Sequence, residues 1–123
     1  MIESILTSIK KLLGITEEDE HFDADIIIHI NSAFATLYDL GVGPSTCFEI
    51  IDKESVWTDF TEGDKELNPV KSYVYMKVKL IFDPPLSSSV MEAIKQSIAE
   101  TEWRLCDRST KSKEVGEEEI QNE

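Results

Sequence analysis

The chain has 123 residues, which suits a single domain, and 41% of them are hydrophobic, which is enough for a globular core. Its 25 acidic and 12 basic side chains give a formal net charge of -13. This charge argues against a protein that grips nucleic acid or an anionic membrane, because both need lysine and arginine to neutralise phosphate. It is compatible with a protein that surrounds DNA, since an acidic wall repels phosphate and lets a strand pass.

Cysteine content and the N-terminal stretch bear on the compartment. Cys47 and Cys106 are far apart and form no CxxC pattern, which favours two idle thiols in a reducing cytosol. No apolar run reaches the length of a membrane span, and the N-terminal stretch lacks the basic start and the cleavage site of a signal peptide. We expect the protein to be made in the cytoplasm.

The chain opens with a predicted helix and an acidic run. Apolar side chains at helical spacing predict the first helix over residues 3–13, and Gly14 is expected to end it. Residues 16–25 are dense in carboxylates, which suit the start of a helix. Thr16 with Asp19 three residues later resembles a capping box for the next helix.

The second helix is predicted to run from Asp19 or Phe22 to Leu40, where the break Gly41–Pro44 ends it. A broad apolar stripe indicates contact with more than one neighbour. Its central members are Phe22, Ile26, Ile30, Ala33, Phe34 and Leu37.

Residues 45–64 differ from the rest, with β-branched and aromatic side chains around a polar centre at Asp52–Ser55. This pattern predicts a short β-hairpin or an extended loop, which needs support from helices or from another subunit. Trp57 and Phe60 lie in this stretch. Large aromatic side chains on such a segment either anchor an interface or cap the core, and the sequence leaves both alternatives open.

A third helix is predicted from Asp64 to Phe82, with Pro69 tolerated near its first turn. Apolar side chains cover much of its circumference, which indicates the central helix of a bundle.

A corner then separates the third helix from the fourth. Asp83 precedes a proline and is therefore pushed out of the helical region, while Pro84 and Pro85 stiffen the turn. Ser89 followed by Glu92 resembles a capping box. The corner is expected to fix the angle between two core helices.

The fourth helix carries an apolar stripe, and we expect Trp103 to pack in the core beside it. Beyond Asp107 the apolar pattern ends, which predicts a helical domain over residues 1–107 and an acidic, polar tail over residues 108–123. The tail should be disordered alone and is a candidate arm that orders on a partner. Basic candidates for contacts with a partner are Arg104, Arg108, Lys111 and Lys113.

These elements predict a mainly α protein. The fold is a small bundle of about four helices, with a short β-hairpin or extended loop between the second and third helices and a C-terminal tail.

A search for chemistry finds no catalytic, cofactor or metal residues. His21, Asp23 and Asp25 alternate, but positions two apart do not share a helix face, and the run lacks the pattern of a calcium loop. Neither Cys47 nor Cys106 has a basic residue at an activating spacing, and neither a G-x-S-x-G elbow nor a phosphate-binding glycine loop is present. We predict that the protein is not an enzyme.

Five stretches of the sequence resemble a known family. They are the LLGI end of the first helix, the stretch FDADIIIHINSAFATLYDLGVGP, the motif VWTDF, the run VKSYVYMKVKLIFDPP and the late EWRL. These motifs are similar to those of small head–tail connector proteins of tailed bacteriophages. The type is that of phages and prophages of Gram-positive bacteria, and the likeness covers about residues 3–106.

The resemblance implies a structural virion protein, an adaptor located in the phage neck. Such adaptors form a ring, commonly of twelve copies, under the portal protein. The ring extends the DNA channel, through which DNA passes without specific binding, and docks a stopper or tail-completion protein. In related adaptors the C-terminal segment reaches into the portal.

Acidity suits a channel wall, so we expect part of the acidic surface to face the lumen or a basic patch on a partner. The candidates are Glu17, Glu18, Asp19 and Glu20. Two other readings stay open. One is an acidic regulatory protein that mimics DNA, and the other is a small enzyme with a pocket that gathers His29 or Cys106 with carboxylates.

Overall fold

The structure, a computed structural model, describes residues 4–62 and 69–121, with the side chains of the last helix described as far as Asp107. This part of the chain is helical and contains no β-strand, which confirms the predicted mainly α bundle. The helices in chain order are α1 (Ile5–Leu13), α2 (Asp23–Asp39), α3 (Trp57–Thr61), α4 (Val70–Phe82) and α5 (Ser88–Gln121). Helix α4 packs against α1, α2 and α5, so it is the central helix.

Helix α1 is closed at both ends by local hydrogen bonds. The Ser4 hydroxyl accepts a hydrogen bond from the Thr7 backbone N–H at 3.3 Å. Gly14 has a φ of 83° and ends the helix in the left-handed conformation, as predicted, and the Ile15 N–H reaches the Lys10 carbonyl at 2.9 Å.

Helix α2 begins at Asp23, next to the predicted start at Phe22 and within the acidic run, so the capping box predicted at Thr16 and Asp19 is wrong. The Asp19 N–H bonds to the Thr16 carbonyl at 3.1 Å, and the Asp19 carboxylate accepts from the His21 N–H at 3.1 Å. The acidic run therefore forms turns of its own. Asp23 and Asp25 occupy the first turn of α2, where their charges interact favourably with the helix dipole.

The core is one cluster of side chains from all five helices and the segment after α2. The predicted stripe on α2 is buried except for Phe22, which is 38% exposed. Members with almost no exposure are Ile5, Ile9, Ile26, Ile30, Phe34, Leu37, Phe60, Tyr73, Val74, Val78 and Leu105. Truncating one such side chain to alanine typically costs about 2–5 kcal/mol.

The segment between α2 and α4 is an extended loop followed by α3, so the loop alternative is right and no hairpin forms in the described residues. Its backbone pairs with the start of α1 through an isolated antiparallel bridge between Ser4 and Val56, and the Ile5 N–H bonds to the Ser55 carbonyl at 3.0 Å. The sequence analysis missed α3, which Asp59 starts by accepting from the Val56 N–H at 3.0 Å.

The corner between α4 and α5 lies where the sequence placed it. Asp83 leaves the helical region with a φ of -143°, and Pro84 and Pro85 follow it before α5 begins. The capping residue of α5 is Ser87 rather than Ser89, because the Ser87 hydroxyl accepts from the Val90 N–H at 3.4 Å.

Helix α5 is longer than predicted. It spans 34 residues to Gln121, about 51 Å, and so continues past Asp107, where we expected the helix to give way to a disordered tail. The division into a domain over residues 1–107 and a tail over residues 108–123 stays a prediction.

A glycine allows the loop after α2 to pass under α3. Gly43 has a φ of 95°, and a Cβ atom at this position would lie 2.4 Å from the Phe60 ring. Any side chain there would force the ring out of the core.

A buried hydrogen bond joins α4 to α5. The Tyr73 hydroxyl donates to the Glu102 carboxylate at 2.6 Å, and Tyr73 is fully buried. Burial raises the pKa of Tyr73 far above its ordinary value of 10.0, and the bond to Glu102 raises it further.

We predict that Gly43→Ala lowers the free energy of unfolding by about 2–5 kcal/mol, because a left-handed alanine costs about 1–2 kcal/mol and overpacking costs about 1–3 kcal/mol. Gly14→Ala is the matched control, since Gly14 also has a positive φ but has open space around its Cβ position. It should cost only the backbone strain. Equal losses in urea unfolding of the two variants would contradict this account.

We predict that Tyr73→Phe lowers the free energy of unfolding at pH 7 by about 1.5–3 kcal/mol, the worth of a hydrogen bond to a charged group. Above pH 10 the unfolded wild-type chain releases the Tyr73 proton while the folded chain keeps it, so wild-type stability falls as pH rises. Tyr73→Phe should remove this contribution and flatten the decline. The control is Tyr38→Phe, at an exposed tyrosine; a decline as steep in Tyr73→Phe as in this control would refute the prediction.

Candidate interaction surfaces

Phe60, an interface candidate, belongs to an aromatic cluster inside the chain. Its ring centroid lies 4.8 Å from that of Phe34 and 5.4 Å from that of Phe48, and Phe34 and Phe48 are 4.9 Å apart. Only 2% of Phe60 is exposed. The side chain therefore caps the core of its own chain and has almost no surface to offer a partner.

Trp57, the other aromatic candidate, is half-buried and joins α3 to α1. Its Nε1–H donates to the Ser8 hydroxyl at 2.8 Å, and this hydroxyl in turn donates to the Ile5 carbonyl at 3.0 Å. Ser8 itself is 2% exposed. The bond gives the indole a fixed orientation, and its ring centroid lies 6.3 Å from that of Phe34.

An asparagine on α2 holds the extended loop in place. The Asn31 side-chain amide donates to the Ile50 carbonyl at 2.9 Å, and its oxygen accepts from the Ile50 N–H at 2.8 Å. The side chain thus satisfies both backbone groups of a buried residue, as a neighbouring strand would. Ile51, the next residue, is 87% exposed and is presented on this fixed backbone. The sequence analysis missed Asn31, whose only signal was a polar residue beside a buried apolar stripe.

The acidic candidates Glu17, Glu18, Asp19 and Glu20 are all exposed on the segment between α1 and α2. This segment is tied down by Lys10, whose ammonium lies 2.8 Å from the Asp23 carboxylate and donates to the Glu17 carbonyl at 3.1 Å. The Lys10 side chain is only 3% exposed. The Asp23 side chain is 25% exposed, but the buried ammonium needs both partners, so Lys10 fixes where the four carboxylates stand.

Charge is distributed unevenly along the chain. Residues 14–62 contain twelve acidic side chains and a single lysine, a net charge of -11. Residues 69–99, which form α4, the corner and the first part of α5, contain four lysines and two acidic side chains, a net charge of +2. The protein is therefore strongly acidic on one part and weakly basic on another.

Of the basic interface candidates on α5, the structure describes the side chain of Arg104 alone. Arg104 is exposed. Arg108, Lys111 and Lys113 lie on the helical backbone of α5, but their side chains fall outside the described part.

Trp103 is 68% exposed, so the expectation that it packs in the core is wrong. The core-facing side of α5 is already taken by Ile98 and Leu105, which are 7% and 0% exposed. At about 100° per residue, position 103 points roughly 140° away from position 98, which turns the indole outward.

At the corner, Asp83 and Pro84 are exposed and Pro85 is half-buried. The Asp83 carboxylate lies 3.4 Å from the Lys79 ammonium, an exposed i,i+4 pair of small energetic weight. The corner is thus shaped by its backbone more than by its side chains.

The described residues offer little chemistry. Among them, no three His, Cys, Asp or Glu side chains stand close enough to hold a metal ion. Both thiols are free; Cys47 is exposed, while the Cys106 sulfur lies 3.7 Å from the Leu40 carbonyl. In the same part of the chain, every helix is too short or too polar to cross a membrane.

We predict that Asn31→Ala lowers the free energy of unfolding by about 2–4 kcal/mol, because two buried backbone groups of Ile50 lose their partners. Amide hydrogen exchange in residues 48–56 should accelerate before that of α2. Ser32→Ala, at the exposed neighbouring position, is the control and should leave both measurements unchanged. Unaltered exchange in the loop of Asn31→Ala would count against the anchor.

Comparison with known proteins gives one match. A family model described as phage connector protein matches residues 5–112, which includes α1 to α4 and most of α5. No curated protein and no solved structure matches the chain. The matched family consists of structural phage proteins rather than enzymes, and the match confirms the resemblance drawn from the sequence. The chain therefore belongs to the phage connector protein family.

Proposed function

We propose that the protein is an adaptor of the phage neck. Copies of it form a ring under the portal protein, extend the DNA channel and dock a stopper or tail-completion protein. The observation that carries this proposal is the family match over residues 5–112, which includes nearly every described element. As in related adaptors, we propose a ring of twelve copies in the virion.

A ring subunit must keep its shape while it contacts several neighbours, and the packing supports this role. Helix α4 is enclosed by α1, α2 and α5, and the extended loop is fixed by Asn31 and by the bridge to Ser4. Surfaces held by a rigid scaffold lose less entropy on binding than mobile ones.

The acidic surface supports a channel through which DNA slides. The four carboxylates at Glu17–Glu20 are exposed on a segment that Lys10 fixes. Carboxylates repel phosphate, so a wall that carries them holds DNA away from the protein. We place these carboxylates towards the lumen or towards a basic patch on a partner.

The far part of α5 is the candidate arm towards the portal. Its last 14 residues, 108–121, extend the helix by about 21 Å beyond the described side chains. Four basic residues lie on it and just before it, and guanidinium groups pair well with carboxylates of a partner. They are Arg104, Arg108, Lys111 and Lys113.

A second function, an inhibitor that mimics DNA, is favoured by one observation. Residues 14–62 carry a net charge of -11. Such a protein would act as a monomer or dimer on a DNA-binding enzyme and would not bind the portal protein.

We predict that deleting the gene from its phage yields DNA-filled heads without tails, and that supplying the wild-type chain restores infectious particles.

In vitro, the purified chain should form a stoichiometric complex with the portal protein of the same phage, measured by native mass spectrometry. A chain truncated after Asp107 tests the arm and should bind the portal more weakly.

The matched control is Lys11→Ala, at an exposed lysine on α1, which should bind as the wild type does. Normal tails in the deletion phage, together with a monomer that does not bind the portal, would overturn the adaptor proposal and bring the DNA mimic forward.

A further inference from the structure

The apolar stripe of α4 runs out of the core towards the corner. Val70, Val74 and Val78 are at most 1% exposed, whereas Ile81 is 58% exposed. At about 100° per residue, Ile81 points within roughly 20° of the direction of Val70, so it continues the same stripe. Phe22, the residue that caps the start of α2, packs on Phe82 at 5.3 Å between ring centroids, but it leaves Ile81 on the surface.

The apolar stripe of α5 does the same from the other side of the corner. Leu105 and Ile98 are buried, Ile94 is half-buried, Val90 is 48% exposed, and Leu86 on the corner is fully exposed. Exposure therefore rises steadily towards the corner. We name Ile81, Leu86 and Val90 together the hairpin tip.

A concave surface on α5 lies beside the hairpin tip and shares Val90 with it. Ser89, Ala93 and Ser97 lie one turn apart on α5, and with Val90 and Ile94 they line an open groove of about 290 Å³. The small side chains leave room beside the larger ones, so an aliphatic side chain of a partner can enter.

A second exposed apolar patch lies on the acidic part of the chain. Ile51 is 87% exposed, and Ile28 is 63% exposed on the side of α2 opposite its buried stripe. Ile28 lies one turn before Asn31, the residue that fixes the loop of Ile51. Exposed acidic side chains flank both isoleucines. We name Ile28, Ile51 and these neighbours, Asp25, Asp52 and Glu54, the acidic ridge.

The two surfaces complement each other in charge and in polarity. Lysines flank the hairpin tip at Lys77, Lys79 and Lys95, and the pairs that Lys79 and Lys95 make, at 3.4 Å and 3.8 Å, are exposed and weak. The acidic ridge lies in the part with a net charge of -11, and the tip in the part with +2. With Asp83 and Glu92 counted, the side chains around the tip have a net charge of +1, and with Lys53 counted, those around the ridge have a net charge of -2. The two apolar centres therefore lie among side chains of opposite net charge.

We propose that the hairpin tip of one copy of this chain docks on the acidic ridge of a second copy. Ile51 packs beside Leu86 at the Ser89 end of the α5 groove, and the tip lysines face the carboxylates of the ridge. Because the two surfaces differ, the contact is head-to-tail and leaves one tip and one ridge free for further copies. The proposal rests on the proposed function only in that this contact would join ring subunits.

Site-directed disulfide capture tests the contact even where association is weak. In a Cys47→Ser, Cys106→Ser background, Ile51→Cys and Leu86→Cys are made as separate chains of different mass, mixed and oxidised. The heterodimer should form about tenfold more than in a mixture of Ile51→Cys with Trp103→Cys, a control at another exposed apolar side chain. Tenfold corresponds to about 1.4 kcal/mol of preference. Equal yields in the two mixtures would overturn the proposal.

Charge variants of the tip give a second readout. Within the Leu86→Cys chain, Val90→Glu places a like charge opposite the ridge and should lower the capture yield severalfold. Val90→Lys removes the same apolar side chain but keeps the charge complementary, so it should retain more of the yield. Raising the salt concentration should reduce the difference between the two variants. A yield that is the same for Glu and Lys would show that charge does not guide the contact.

The outcome separates this proposal from the adaptor proposal. If tip and ridge are not captured but the deletion phage lacks tails, the adaptor stands and this pair of surfaces is wrong. If they are captured while the deletion phage assembles normally, the chain self-associates head-to-tail for another purpose.

Discussion

The burial of α4 by three other helices is the constraint on which the rest of the structure depends. A helix with apolar side chains over most of its circumference needs cover on several sides, and α1, α2 and α5 supply it. Tyr73 adds a polar link to this packing, because its hydroxyl bonds to Glu102 on α5. Near the corner the cover becomes incomplete, because Phe82 still packs on Phe22 whereas Ile81 is 58% exposed.

The surfaces of the protein are positioned by a few buried polar groups. Asn31 replaces a missing strand for Ile50, Lys10 ties the acidic segment to α2, and Ser8 orients Trp57. Asn31 satisfies both backbone groups of the buried Ile50, each of which would otherwise cost about 1–3 kcal/mol. The acidic segment after α1 and the extended loop after α2 are therefore held in place by side chains of the helices.

The uneven distribution of charge lets different parts of the surface make different contacts. Residues 14–62 carry a net charge of -11, while residues 69–99, with α4 and the start of α5, carry +2. A uniformly acidic subunit would repel its own copies at every contact, whereas this distribution lets unlike surfaces meet. The same carboxylates make a poor surface for DNA to bind, which suits a protein of the phage connector family.

The sequence alone determined the helical class, the end of α1 at Gly14, the stripe on α2, the corner at Pro84 and Pro85, and the family. The structural features follow from periodicity and from the backbone limits of glycine and proline, which act within a few residues. The family came from resemblance, and the family match confirms it. The tertiary structure alone decided that Phe60 is buried, that Trp103 is exposed and that Lys10 is covered. Those outcomes depend on which neighbours a side chain meets after the chain folds, and no local pattern encodes them. Helix α3 and the anchor at Asn31 belong to the same class, because each needs a partner distant in sequence.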